Sequence, residues 1–481
     1  MKHMKRTTKI MTFILSVLLL CNSFAEVAIA ANGVSIVQDA DMRFVTIPNT
    51  YEVEKTYKNL DEYGFLNHAE DLFMDAEDNL YVADSGNNRI LKISPEGKVE
   101  GEYTQAFGVA LKNPKGVYVH EDGTIWIADT DNYRVVRINQ DGSDVEEYTR
   151  PESELLEDSF TFAAQKIYMS NTGYMYVLCG TNLMKMDAKN DFRGYVGAAT
   201  VPFSLSRLLI RMFGTQSQIE RTVKQEPSAY DNFMIASDGM IYGLMSNEET
   251  GQIRRLNSVG TNTYPDLPYG FEITLDDTNY TGIKFSDITV MDNGVITLCD
   301  RNTGLIYQYD QDGDLLAVFG GTGDKNGVYT NLVSIVHDSQ GRLYALDYTT
   351  NNITVLAPTK FIELVHEAVS LYQAGDYDAA KSYWEQVLEI DSNYALARSG
   401  YGKVLYKEGR YEEAMEQYTL GGDREGYSDA FSEYRHGLFR SYFGWVCLAV
   451  VVLLGVFWFG FKRVKKYIDG VAHRIEYGGW L

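Results

Sequence analysis

Between residues 51 and 358 the chain alternates short apolar runs with turns rich in Gly, Asp and Asn. That pattern predicts strands joined in hairpins. Six turns open the units: Asp78-Asn79, Asp122-Gly123, Thr172-Gly173, Asp238-Gly239, Asn293-Gly294 and Gln340-Gly341. Apolar runs flank each of them, as Val117-Tyr-Val119 and Ile125-Trp-Ile127 flank the second. In five units another turn follows, at Gly97, Gly142, Asn190, Gly260 and Gly313. Each unit therefore reads as a four-stranded antiparallel blade, and six blades predict an all-β propeller over residues 31–358. The sixth unit turns helical after Ile353-Thr-Val-Leu356, before any fourth strand. Residues 51–57 precede blade 1 through a connector, just as Lys98-Val-Glu-Gly-Glu-Tyr103 precedes blade 2. They are the expected closing strand, and pairing there would remove an open sheet edge.

Residues 359–440 change to a helical period. Leu371, Tyr372, Gly375, Tyr377, Ala380 and Trp384 return 34 residues later as Leu405, Tyr406, Gly409, Tyr411, Ala414 and Tyr418. The small Ala380 and Ala414 let paired helices approach, and the aromatic side chains fill the space between them. This pattern resembles two tetratricopeptide repeats, with a capping helix expected near 426–440. Tyr442 to Phe461 is an uncharged apolar run of 20 residues, long enough to cross a bilayer as one helix. Aromatic residues stand at both ends, and Lys462-Arg-Val-Lys-Lys466 follows, which places the 462–481 tail in the cytoplasm. Residues 1–30 have a basic start, an apolar Ile10–Leu20 stretch and a small-residue site at Ala28-Ile-Ala30, as a secretory signal peptide does. The expected localisation is a cell membrane, single-pass, with the propeller and helical repeats on the extracytoplasmic side.

The propeller text repeats itself. Val82-Ala-Asp-Ser-Gly-Asn-Asn-Arg89 returns 45 residues later around Asp129, with Asn87 matching Asn132 and Arg89 matching Arg134. Together with Asn113-Pro-Lys-Gly116, this text resembles the NHL repeat family. Blades 1 and 2 match it best, blades 5 and 6 less well, blades 3 and 4 least. The resemblance implies a six-bladed propeller. Its relatives mostly bind proteins, RNA or other ligands, and a minority of related propellers are metal-dependent enzymes. A fold of this kind does not by itself assign an activity.

Charge and cysteine narrow the field. The chain carries a net charge of −23 although both of its ends are basic, so the body is strongly acidic. Such a body repels phosphate backbones, which argues against nucleic acid as a partner. Only Cys179 and Cys299 lie in the body, in different blades, and they read as small buried hydrophobes rather than a disulfide.

One column of residues could carry chemistry. Aligned on the first turns, it reads Asp84, Asp129, Cys179, Met245, Asp300 and Asp347. The acidic members, with Asn87 and Asn132 beside them, form either a ring for a polar ligand or cation, or caps for their own turns. Propeller lactonases hold one divalent ion on side chains from several blades. Glu70, Asp129 and Asp300 are the residues here that could be fitted to such a site, for Ca2+ or another divalent cation. No nucleophile–base arrangement can be named. His68 is the one histidine expected near that mouth, and His120 and His337 read as surface residues of the opposite face. Residues 201–224 interrupt the repeat between blades 3 and 4. There Leu205, Leu208, Leu209 and Met212 make a helical stripe, with Arg207 and Arg211 off it. A basic amphipathic helix suits a lipid surface or an acidic partner, and packing on the outside of blades 3 and 4 is the alternative. The 35 tyrosines could also stack on sugars.

The reading that follows is a non-catalytic recognition and scaffold protein outside the cytoplasm. It would serve as an accessory subunit of a cell-envelope or transporter complex, binding protein partners at or in the membrane. The alternatives are a propeller for envelope carbohydrate or another small ligand, and a metal-dependent lactonase-like hydrolase.

Overall fold

The structure is a computed structural model of the 481-residue chain. It describes residues 34–38, 43–153, 156, 159–197, 228–270, 273–276, 279–323 and 325–477. The segment 1–30 and the insert 201–224, with Leu205, Arg207, Leu208, Arg211 and Met212, lie outside the described residues.

Six sheets form the propeller blades, each built outward from an inner strand. The inner strands are Asp71–Met74, Pro114–Val119, Ala164–Met169, Asn232–Ile235, Phe285–Val290 and Leu332–His337. The second strands of all six blades are buried along their whole length, as Leu80–Asp84 and Ile125–Asp129 are. A strand covered on both faces needs a continuous apolar run rather than an alternating one, which is what the sequence supplies. Inner strands crowd at the axis, and the NHL-like Gly116 answers to that crowding. A Cβ there would sit 2.4 Å from the Gln165 carbonyl oxygen of the next blade.

Tyr51–Tyr57 closes the ring as expected. It pairs antiparallel with Asn352–Pro358, Tyr57 opposite Ile353 and Tyr51 opposite Pro358. Two blades depart from the four-strand expectation. Blade 4 is a three-stranded sheet among the described residues. Its chain runs on through Pro265 and Pro268, which have no N–H to give to a ladder. Blade 5 is enlarged instead. A hairpin of Ile36–Gln38 and Phe44–Thr46 adds to its outer edge, with Ile36 opposite Val318. The blades pack face to face through large apolar clusters, one of which spans blades 2 to 5.

Five helices follow: α1 (Lys360–Gln373), α2 (Tyr377–Ile390), α3 (Ala395–Lys407), α4 (Tyr411–Gly421) and α5 (Arg424–Tyr477). The chain divides into two compact units, residues 1–396 and 397–481, so the division falls inside the helical repeats rather than at residue 358. In the first unit α1 docks on blade 5. His366 Nε2 lies 3.1 Å from Gln308 Oε1, and the Gln308 amide donates to Tyr51 Oη (3.0 Å) and Thr297 Oγ1 (3.1 Å). Tyr394, just past α2, donates to the Leu316 carbonyl at 2.6 Å. Burial pushes the His366 imidazole down to about 3, so it sits neutral in this contact.

In the second unit Tyr418 of α4 fills the gap between neighbouring helices. Cβ atoms at Gly402 and Gly426 would come within 2.8 and 2.5 Å of its ring. The expected capping and membrane-crossing helices are one. α5 runs for 54 residues, about 80 Å at 1.5 Å per residue. It is long and apolar enough to cross a membrane by length and composition, and its apolar window is unburied.

Candidate functional site

The acidic column of the repeat is spent on the repeat itself. Asp84 is fully buried. Its Oδ1 accepts from the Asn67 N–H at 2.8 Å, and its Oδ2 accepts from Asn87 Nδ2 and Arg89 Nε, both at 2.8 Å. Blade 2 repeats this atom for atom. Asp129 accepts from the Lys112 N–H (2.8 Å), Asn132 Nδ2 (2.8 Å) and Arg134 Nε (2.7 Å). Each arginine then reaches the outer strand of its own blade, Arg89 to Glu102 at 2.8 Å and Arg134 to Glu147 at 2.9 Å. Asn87 and Asn132 also donate to the carbonyls of Phe65 and Ala110. In blade 5 Asp300 accepts from the Asn302 N–H and Thr303 Oγ1, each at 2.9 Å. In blade 6 Asp347 accepts from the N–H groups of Thr349 (2.9 Å) and Thr350 (3.0 Å). A buried carboxylate needs such partners, and here every partner belongs to its own turn, strand or connector.

The three residues fitted to a divalent-cation site are not brought together. Glu70 pairs with Lys115 at 3.1 Å, while Asp129 and Asp300 are fully buried in the turns of their own blades. Among the described residues no group of three or more His, Cys, Asp or Glu side chains could hold a metal ion. The His68 ring packs tilted against Tyr348, with 4.6 Å between centroids. His337 is not a surface residue but is half-buried, with its Nδ1 2.7 Å from Thr289 Oγ1 of the neighbouring blade, and burial lowers its imidazole. Cys179 and Cys299 are free and buried, and burial pushes the Cys179 thiol up to about 12.

The groups that meet across the molecule lie thirteen residues before this column. They are Asp71, Gly116, Lys166, Asn232, Asp287 and Ser334, one per blade at the start of each inner strand. The register confirms the equivalence, since they face Ala83, Ala128, Leu178, Leu244, Cys299 and Leu346 on the second strands. Lys166 Nζ of blade 3 bridges Asp71 Oδ1 of blade 1 (2.7 Å) and Asp287 Oδ1 of blade 5 (3.1 Å). Asn232 donates to Asp287 Oδ1 at 2.8 Å and Ser334 Oγ donates to Asp287 Oδ2 at 2.6 Å. The Val117 N–H of blade 2 donates to Asp71 Oδ2 at 3.1 Å. Six blades are thus tied by one buried network. Burial pushes the Asp71 carboxyl up to about 6, against the pull of Lys166 and with the push of Asp287. The two carboxylates hold the Lys166 ammonium above its ordinary range despite its burial.

Two residues further along, the inner strands of blades 1 to 3 carry aromatic side chains, where blades 4 to 6 have Met234, Thr289 and Val336. Phe73, Tyr118 and Tyr168 line up there, with ring centroids 5.1 and 5.0 Å apart, and Phe233 stands 5.5 Å from Tyr168. One residue before the network comes a third ring: Glu70, Lys115, Gln165, Asp231, Ser286 and Val333. All six line an open cavity of about 270 Å³, whose wall also includes Asp71, Lys166, Thr181, Tyr230, Lys284 and Arg301. The axis is therefore a polar mouth over a charged floor, with aromatic side chains beneath it in blades 1 to 3. The column expected to line the mouth, Asp84, Asp129, Asp300 and Asp347, is not the one that does so. A constant thirteen-residue offset carrying Asp, Lys, Asn, Asp and Ser into apolar strand starts was the signal that could have found it.

The tetratricopeptide family model matches residues 371–424, and the NHL repeat model matches residues 111–138. No curated protein matches the chain by sequence. Among solved structures it is similar to a streptogramin B lyase at 13% identity and a TM-score of 0.40, covering 67% of this chain and 86% of that one. A virginiamycin B lyase from Staphylococcus aureus is similar at 12% identity and 0.40, covering 64% and 99%. A putative gluconolactonase is similar at 12% identity and 0.41, covering 64% and 94%. Nothing of those proteins' chemistry carries over at this similarity. The chain is a six-bladed β-propeller with an NHL repeat in its second blade, continued by tetratricopeptide repeats and one long apolar helix.

Proposed function

We propose that this protein is a non-catalytic recognition and scaffold protein, held at a membrane by α5 and presenting its propeller and helical repeats to protein partners outside the cytoplasm. One observation carries the reading. Two repeat types built for contacts stand on one chain with a helix whose apolar side chains, Leu453, Leu454 and Phe457 among them, are more than 60% exposed. A solvent-exposed surface of that length is too costly in water, and a bilayer would cover it. The basic run from Lys462 orients the tail toward the cytoplasm.

The test is extraction of the full-length protein from its native membrane in mild detergent, with mass spectrometry of what accompanies it. A stoichiometric membrane or secreted partner is the expected result. A partnerless monomer after crosslinking in intact cells would overturn the scaffold reading.

A further inference from the structure

The axial mouth holds a charge that the repeat does not explain. In blade 5 the chain places Lys284 just before the inner strand and Arg301 just after Asp300. The two are neighbours, because the Arg301 N–H donates to the Lys284 carbonyl at 2.9 Å. At the equivalent positions the other blades carry His68 and Ser85, Asn113 and Thr130, Ala163 and Gly180, Ala229 and Ser246, Asn331 and Tyr348. No other blade puts a lysine or arginine at either place.

The other cations of the mouth are neutralised. Lys115 has Glu70, and Lys166 has two carboxylates. Lys284 is exposed to the cavity, and among the described residues no ion pair or side-chain hydrogen bond engages its ammonium. Arg301 gives its Nε to the neutral Asn331 Oδ1 at 2.8 Å, which steadies the guanidinium without neutralising it. Its remaining N–H fork matches a carboxylate.

The wall supplied by the neighbouring blades 3 and 4 is neutral or acidic above the floor. Gln165 and Thr181 have no side-chain partner among the described residues, and Asp231 spends one oxygen on the Ser246 N–H at 2.7 Å. Asp71 and Asp287 outnumber Lys166 on the floor. A dianion would meet those carboxylates. A molecule with one carboxylate and several hydroxyls would not, since hydroxyls can donate to Asp231 and Gln165. At about 270 Å³ the cavity falls just below the range that takes drug-sized ligands. We infer that the mouth is a binding site for a sugar acid, its carboxylate held by Lys284 and Arg301 and its hydroxyls by Gln165, Thr181 and Asp231. The ligand is either a free uronic acid or one such unit in a polysaccharide. The site is independent of any partner surface on the helical repeats.

The experiment is calorimetric titration of the full-length protein in a non-glycosidic detergent with glucuronate, glucose, glycine, inorganic phosphate and an oligouronide. Saturable glucuronate binding is expected, with none for glucose. Lys284→Ala should weaken it about tenfold, the worth of one charge-assisted hydrogen bond, with an unchanged melting temperature. Arg301→Lys should also weaken it although the positive charge is kept, because the fork is lost. Tighter binding of the oligouronide would assign the site to a polymer, and equal or weaker binding to the free acid. Glucose binding as tightly as glucuronate, phosphate or glycine binding more tightly, no binding of any sugar acid, or full binding by Lys284→Ala would each overturn the assignment.

Discussion

Two sets of charged residues lie thirteen positions apart in the same repeats and do opposite things. Asp84, Asp129, Asp300 and Asp347 recur because each serves the local structure of its own blade, and each is satisfied by neighbours in that blade or the connector leading into it. Asp71, Lys166, Asn232, Asp287 and Ser334 differ from blade to blade because they complement one another across the axis. The repeated residue is structural, and the varied one is where six blades make something that no blade has alone. Blade 5 shows this most clearly, since it keeps the turn aspartate and adds Lys284 and Arg301 around it.

Removing a repeated carboxylate should cost most. Asp129→Ala leaves the buried Arg134 without its inner partner, and loss of about 3–5 kcal/mol in calorimetric unfolding is expected. Asp84→Ala should behave alike, because the geometry is the same. A loss under 1 kcal/mol would show that the column is not structural.

Breaking the axial network should cost less and should depend on pH. Lys166→Met leaves two buried carboxylates facing each other, with an expected loss of about 2–4 kcal/mol at pH 8. Acid should restore part of it, because protonation removes the repulsion. Asp129→Ala has no such recovery, so melting curves at two pH values separate the regions.

Two titrations sharpen the contrast within the native protein. Asp71 is raised to about 6, so its folded form binds a proton more tightly than the unfolded chain does. Its contribution is fully present below about pH 4 and is lost as pH rises through 6, at most about 1.4 kcal/mol per unit. His366 has the opposite sign. Its imidazole is lowered to about 3, so its contribution is present above about pH 6.5 and is lost as pH falls toward 3. Asp71→Asn should remove the first slope and His366→Gln the second, as read from melting temperature against pH. The smallest stability effect belongs to Lys284→Ala, within about 0.5 kcal/mol, because its side chain is exposed and supports nothing.

Much of this was legible in the chain. The turn spacing named six blades, and the leftover apolar run at 353–356 named the closing strand that Tyr51–Tyr57 supplies. The helical period named the tetratricopeptide repeats that the family model matches. Other features were not legible for physical reasons. Among the described residues blade 4 has three strands, since Pro265 and Pro268 have no N–H to give to a ladder, and turn spacing alone does not count hydrogen bonds. The hairpin at Ile36–Thr46 joins blade 5 through contacts hundreds of residues apart in sequence. The docking of α1 rests on His366 and Gln308, which look unremarkable in sequence and become partners only when the blade and helix meet.

By itself, the sequence determined whatever a single repeat can enforce: strand and helix periods, turn chemistry, and the aspartate that four blades place at the end of the second strand. Those depend on residues near each other along the chain, so pattern reveals them. Only the tertiary structure decided which residues share the axis, because Asp71, Lys166 and Asp287 meet across blades, separated by 95 and 121 residues. Their charges have no meaning until the ring closes and burial makes each one need the others.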